Sequence, residues 1–189
     1  EIARVGLLEK KGLFIGSALI HMYAQCGSLV KAREAFSGLH VRDTISWNTL
    51  ISSFANHNCP KEAVKYFNLM QCEGISPDGV AYVSVLKAYF SLKDIGKVFS
   101  LHDEISQKGC FNGNLYIGST LVNIYVKSGF LEKAKEVFEK LPNRNVVIWN
   151  ALLTGYVEHE LFEDALEGYK TMQSEGVSPD AVTYVCILK

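Results

Sequence analysis

Residues 13–42 read LFIGSALIHMYAQCGSLVKAREAFSGLHVR, and residues 115–144 read LYIGSTLVNIYVKSGFLEKAKEVFEKLPNR. The second string is the first one again, displaced by 102 residues. Carried outward, the same displacement sets Trp47-Asn48 on Trp149-Asn150 and Ser76-Pro77-Asp78 on Ser178-Pro179-Asp180. It also sets Tyr82-Val83 on Tyr184-Val185. Over the 75 positions that superpose there are 31 identities and no gap, far beyond chance. Self-similarity at a fixed period is the signature of a repeat architecture.

Each super-repeat subdivides. Leu13–Asp43 has 31 residues, Thr44–Asp78 has 35 and Gly79–Asn114 has 36. The second copy runs Leu115–Asn145, then Val146–Asp180, and residues 181–189 open a further long unit; Glu1–Gly12 read as the tail of a preceding long unit. Every unit holds two apolar stripes with a period near 3.6. Ile15, Leu19, Ile20 and Tyr23 make one, and Ala32, Ala35, Phe36 and Leu39 the next. That spacing specifies amphipathic helices of about three turns. Gly27-Ser28 and Gly129-Phe130 break the helix pair inside the short units, and Pro60 stands at a first helical position. Glu73-Gly74-Ile75-Ser76-Pro77-Asp78 and its copy at 175–180 end the longer units with a Gly cap and a Pro stop. No segment alternates with period two for long enough to make a strand. The expected fold is all-α, one continuous solenoid of antiparallel helical hairpins.

Composition narrows the function classes. Apolar residues make up 48% of the 189 and charged residues 21%, which excludes intrinsic disorder. No apolar run approaches the roughly 18 residues of a membrane span, so no membrane partner is expected. Nineteen basic and twenty acidic residues leave a net charge of −1, so any attraction for a polyanion is local. Five cysteines, an odd number without a C-x-x-C pair, argue against a disulfide framework and a zinc knuckle. There is no phosphate loop, nucleophile elbow or H-E-x-x-H motif. The five histidines are scattered and lack cysteine partners, so neither a metal nor another cofactor is expected. Glu1 is not Met, and Val182–Lys189 read as the start of a helix. The expectation is that the chain is part of a longer protein, and that missing targeting signals carry no information.

Hairpins of this size suggest tetratricopeptide repeats first, whose pattern is W-x2-L-G-x2-Y on a strict period of 34. Trp149, Leu152 and Tyr156 fit, but Leu153 stands where that pattern wants Gly, and the lengths here cycle 31, 35, 36. The chain instead resembles the pentatricopeptide repeat proteins, in particular their plant subclass with alternating short, standard and long units. Ile15 to Leu29 carries the short-unit match, Trp47 to Asp78 the standard one, and Val80 to Lys87 opens the long one. The resemblance implies a right-handed superhelix that binds single-stranded RNA, one base per repeat, in chloroplasts or mitochondria. It also implies a role in cytidine-to-uridine RNA editing, with editing-factor proteins as further partners through the long units. A nucleic-acid deaminase needs H-x-E with P-C-x-x-C, and this chain has neither. It is expected to be a binding module, not an enzyme, with no small-molecule substrate.

In each unit, residues 2 and 5 lie three apart on the first helix, and the last residue lies in the loop beside the next first helix. Position 2 is Phe14, Ile45, Val80, Tyr116, Val147 and Val182, all apolar and suited to sandwiching bases; ordinary packing at a helix start is the other reading. Position 5 and the last residue form the pairs Ser17/Asp43, Asn48/Asp78, Ser119/Asn145 and Asn150/Asp180. An ionised Asp only accepts hydrogen bonds, which suits guanine behind a small Ser. An Asn both donates and accepts, which suits adenine, and Asn with Asp fits uracil, with cytosine second. Asp and Asn are also favoured helix N-caps, and the two roles are compatible. The long unit offers Val83, which cannot hydrogen-bond a base edge. With the polarity that the resemblance implies, the target reads 5′-GUNAU-3′. The family often carries Lys near position 13 to meet phosphate; here those residues are Gln25, Asn56, Glu158 and once Lys127. Weak binding by this chain alone is the expectation. The rival readings are a solenoid that grips a peptide or partner helix, and a structural subunit of an organellar ribonucleoprotein.

Overall fold

The computed structural model describes residues 15–109 and 114–188, and among them every regular element is a helix. In chain order these are α1 (15–25), α2 (Leu29–Ser37), α3 (Thr44–Asn56), α4 (Pro60–Cys72), α5 (Gly79–Ser91) and α6 (Ile95–Gln107). They continue with α7 (Leu115–Lys127), α8 (Leu131–Glu139), α9 (Val146–Glu158), α10 (Phe162–Ser174) and α11 (Ala181–Ile187). The chain divides into two compact units, Glu1–Val98 and Phe99–Lys189. Helices of seven to thirteen residues are marginal alone, so packing of their apolar stripes supplies their stability.

In the first unit α3 packs against α4 and α5, which also pack on each other. Trp47, Leu50 and Ile51 from α3 are fully buried, together with Ala63 and Met70 of α4 and Tyr82, Val85 and Leu86 of α5. Each large apolar side chain so buried contributes about 1.5–3 kcal/mol. The second unit repeats the arrangement: α7 packs on α8 and α9, and α9 on α10 and α11. The aromatic joints coincide as well. Phe36 meets Trp47 edge-on with centroids 4.6 Å apart, and Phe138 meets Trp149 at the same 4.6 Å. Arg42 lies over the Phe36 ring and pairs with Glu73 at 3.0 Å, while Arg144 lies over Phe138 and pairs with Glu175.

The turns follow the chemistry of their residues. Gly27, Gly74, Gly129 and Gly176 adopt φ between +70° and +81°, the left-handed conformation that a side chain disfavours. Asn58 and Glu160 take the same conformation, φ 56° and 60°, at the turns into α4 and α10. Asn is at home there, and Glu is not. Gly118 serves a different end. A Cβ on it would fall 2.3 Å from Leu141 Cδ2, so a larger residue in α7 would have to push the Leu141 side chain aside.

Candidate functional site

The last residue of each unit caps the first helix of the next. Asp43, Asp78, Asn114, Asn145 and Asp180 are the N-caps of α3, α5, α7, α9 and α11, all with extended backbone. Each side-chain oxygen accepts from amides two or three residues on, such as Ser46 N to Asp43 at 2.8 Å and Ile148 N to Asn145 at 3.1 Å. The second helices α2, α4, α8 and α10 have no such cap. The cap anchors these side chains in one rotamer at the mouth of the first helix, and that is what positions them.

Two of the four proposed pairs are joined. Asn48 Nδ2 donates to Asp78 Oδ2 at 2.8 Å, and Asn150 Nδ2 donates to Asp180 Oδ1 at 2.9 Å, each across about 30 residues of sequence. Asp78 divides its oxygens, Oδ1 to the Val80 and Ala81 amides and Oδ2 to Asn48. Asp180 gathers its bonds on Oδ1, which accepts from Thr183 N and from the Asn150 amide. The Thr183 backbone N–H above all, then the Asn150 amide, hold the Asp180 carboxyl below the usual Asp range, so it is ionised at neutral pH. In the Ser119/Asn145 pair the serine turns elsewhere. Ser119 donates to the Tyr116 carbonyl at 3.1 Å, and serine is too short to span to the cap.

The two asparagines lie deeper than a three-residue spacing on one helix face suggests. Asn48 is 9% and Asn150 7% exposed, whereas the position-2 side chains Ile45, Val80, Tyr116, Val147 and Val182 are 53–79% exposed. Apolar groups thus project into solvent while the amides sit below them, each rigidly oriented by its Asp. Phe14 lies outside the described residues. Lys127, the last residue of α7, is exposed.

Sequence reasoning missed what holds the second amide oxygen. Thr183 Oγ1 donates to Asn150 Oδ1 at 2.6 Å. The equivalent residue in the first copy is Ala81, and there Asn48 Oδ1 is buried without a hydrogen-bond partner. The signal was present as one difference between the copies, Ala81 against Thr183, but only the fold brings those positions beside the asparagines.

Among the described residues no cluster of His, Cys, Asp and Glu could hold a metal, and no helix is long and apolar enough to cross a membrane. What the site offers is a series of fixed donors and acceptors beneath exposed apolar side chains.

Models of the PPR repeat family match residues 42–91 and 144–189, and those of the PPR repeat match 17–42, 80–110 and 119–146. A mitochondrial pentatricopeptide repeat-containing protein of Arabidopsis thaliana is 36% identical over 179 residues, covering 95% of this chain and 17% of its own. A chloroplastic one from the same plant is 34% identical over 174 residues, covering 92% and 21%. The chain therefore spans about a fifth of the length of these curated relatives. Its fold matches the crystal structure of the maize pentatricopeptide repeat protein PPR10 in complex with an 18-nt psaJ RNA element. That match has a TM-score of 0.76 at 20% identity, over 99% of this chain and 29% of the other. It likewise matches the PPR domain of Arabidopsis thaliana protein-only RNase P 1 in complex with tRNA. There the TM-score is 0.75 at 13% identity, over 94% of this chain and 97% of that one. At such identities the likeness is one of fold.

Proposed function

The chain belongs to the pentatricopeptide (PPR) repeat family, and we propose that it binds single-stranded RNA, reading one base in each short and standard unit. The observation that carries this reading is the pairing of Asn48 with Asp78 and of Asn150 with Asp180 beside exposed Val80 and Val182. Apolar side chains in water are costly unless something flat covers them, and base stacking on such platforms contributes roughly 1–3 kcal/mol per base. The oriented pair then presents an amide donor next to a carboxylate acceptor. Uracil offers the complement, a carbonyl acceptor next to the N3–H donor, and cytosine ranks second. Ser17/Asp43 takes guanine, because the carboxylate accepts from N1–H and N2–H₂. Ser119/Asn145 takes adenine, whose N6–H₂ donates while N1 accepts. The long unit, with Val83, reads nothing. The target is 5′-GUNAU-3′.

The unit lengths of 31, 35 and 36 support assignment to the subclass with alternating short, standard and long repeats, and hence a role in C-to-U editing. In that role the chain is the recognition part, and the deaminase chemistry is supplied from outside it. The mitochondrial and chloroplastic relatives support an organellar location.

Fluorescence anisotropy with labelled GUNAU-containing RNA, against the same bases scrambled, tests the reading. The matched RNA is expected to bind at least tenfold more tightly, since each well-matched edge discriminates by about 1–3 kcal/mol. Equal affinity for both sequences would sink the base assignments. No RNA binding together with capture of a protein partner would favour the peptide-gripping solenoid.

A further inference from the structure

The two copies of the repeat differ at one buried aromatic. In the first, Tyr66 of α4 seats its ring against Phe36 at 6.0 Å, Trp47 at 6.4 Å and Phe54 at 5.3 Å, stacked on the last. The equivalent residue of α10 is Gly168. Phe138, Trp149, Leu152 and Tyr156 stand where Phe36, Trp47, Leu50 and Phe54 do, and a cavity of about 330 Å³ opens among them and Gly168. Even a cavity of about 150 Å³ holds benzene, so an aromatic ring fits with space to spare. The Trp149 indole N–H at this site is buried without an acceptor, as is that of Trp47 in the filled copy, so it is the cavity and its rim that set the two copies apart.

The rim also distinguishes the copies. Arg33 and Arg42, whose charges act on the Tyr66 hydroxyl, are matched by Lys135 and Arg144, so the polar surroundings of a phenol are reproduced. Lys135 is engaged by Glu132 at 3.5 Å and Asp164 at 4.0 Å, and Arg144 by Glu175. Glu139 and Glu167, where the first copy has Ser37 and Lys65, line the cavity too and form no ion pair among the described residues. Uncompensated charge at the mouth is therefore negative. None of the eight proposed base-reading residues lines this cavity.

We propose that the Gly168 cavity is a docking site for a protein partner, which inserts a tyrosine side chain flanked by a basic residue. The first copy shows the occupant: the partner supplies in trans the ring that Tyr66 supplies in cis. The carboxylates of Glu139 and Glu167 select a cationic neighbour and repel the phosphate of a nucleotide, so a nucleobase is not the ligand.

The chain has two tryptophans, so a ¹⁵N-labelled sample gives two indole signals, one at the open site and one at the filled site. Tyramine, a phenol bearing an ammonium group, is the probe. Expected is a saturable shift of the Trp149 signal with a Kd on the order of millimolar, as befits so small a ligand, while Trp47 stays still. The anionic phenol 4-hydroxyphenylacetate should bind at least several-fold more weakly, and uridine monophosphate should leave both signals unmoved. Gly168→Tyr should abolish the Trp149 response. Should that variant fail to fold, Tyr66→Gly is the reciprocal test: its rim has Ser37 and Lys65 in place of the two glutamates, so Trp47 should respond to 4-hydroxyphenylacetate in preference to tyramine. No saturable shift, equal movement of both indoles, an undiminished response in folded Gly168→Tyr, or preference for the nucleotide would each overturn the proposal.

Discussion

Asp78 uses its two carboxylate oxygens for two purposes, one to hold the start of a helix and one to orient Asn48. Asn145 has the same cap through Oδ1, which leaves its Nδ2 as the group that would meet a base. Changing Asn145→Asp keeps the cap and exchanges that donor for an acceptor. Stability should move by no more than about 0.5 kcal/mol, because Asn and Asp cap almost equally well. Selection from randomised RNA should shift the fourth position from adenine toward guanine; an unchanged preference would refute the assignment. A second residue-scale expectation concerns the amide oxygen of Asn48, buried without a donor. Ala81→Thr installs the hydroxyl that Thr183 supplies to Asn150. A buried acceptor gaining its partner should raise stability by about 0.5–1.5 kcal/mol in urea unfolding. Loss of stability would mean that Ala81, itself fully buried, has no room for the extra atoms.

At the scale of the helix and its turns, α9 and α10 are joined through Glu160 in the left-handed conformation. A non-glycine residue there costs roughly 1–2 kcal/mol, so Glu160→Gly should raise the melting temperature although it removes no contact. The reverse change at Gly129, φ 81°, to Ala should lower it by a similar amount. Scanning calorimetry of the pair measures both; a Glu160→Gly variant that melts lower would show that the side chain is anchoring the turn. Much at this scale was legible. Apolar spacing, Pro60 and the glycines at 27, 74, 129 and 176 mark helices and breaks because they act through neighbours three or four residues away. The depth of Asn48, the orientation of its amide and the space left by Gly168 were not legible. They arise between residues about 30 positions apart, and local periodicity holds no record of them.

For the molecule as a whole, the net charge of −1 limits how strongly an RNA is drawn in. Of the four residues at the positions expected to meet phosphate, only Lys127 is a cation, the others being Gln25, Asn56 and Glu158. The logarithm of the binding constant should therefore fall with the logarithm of salt at a slope no steeper than about −1. Titrations at 50 and 200 mM salt check this; a slope several-fold steeper would place phosphate contacts elsewhere on the surface. Affinity of the chain alone should be on the order of micromolar or weaker, since four bases supply few stacking contacts. With Asp43, Asp78, Asn145 and Asp180 proposed as base readers, their capping geometry has a consequence for rewriting the target RNA. Any new residue at these positions must still begin a helix, and only Asp, Asn, Ser, Thr and Gly do that well. A designer's vocabulary at each of these letters is thus about five words long, and folding, not RNA, has struck out the rest.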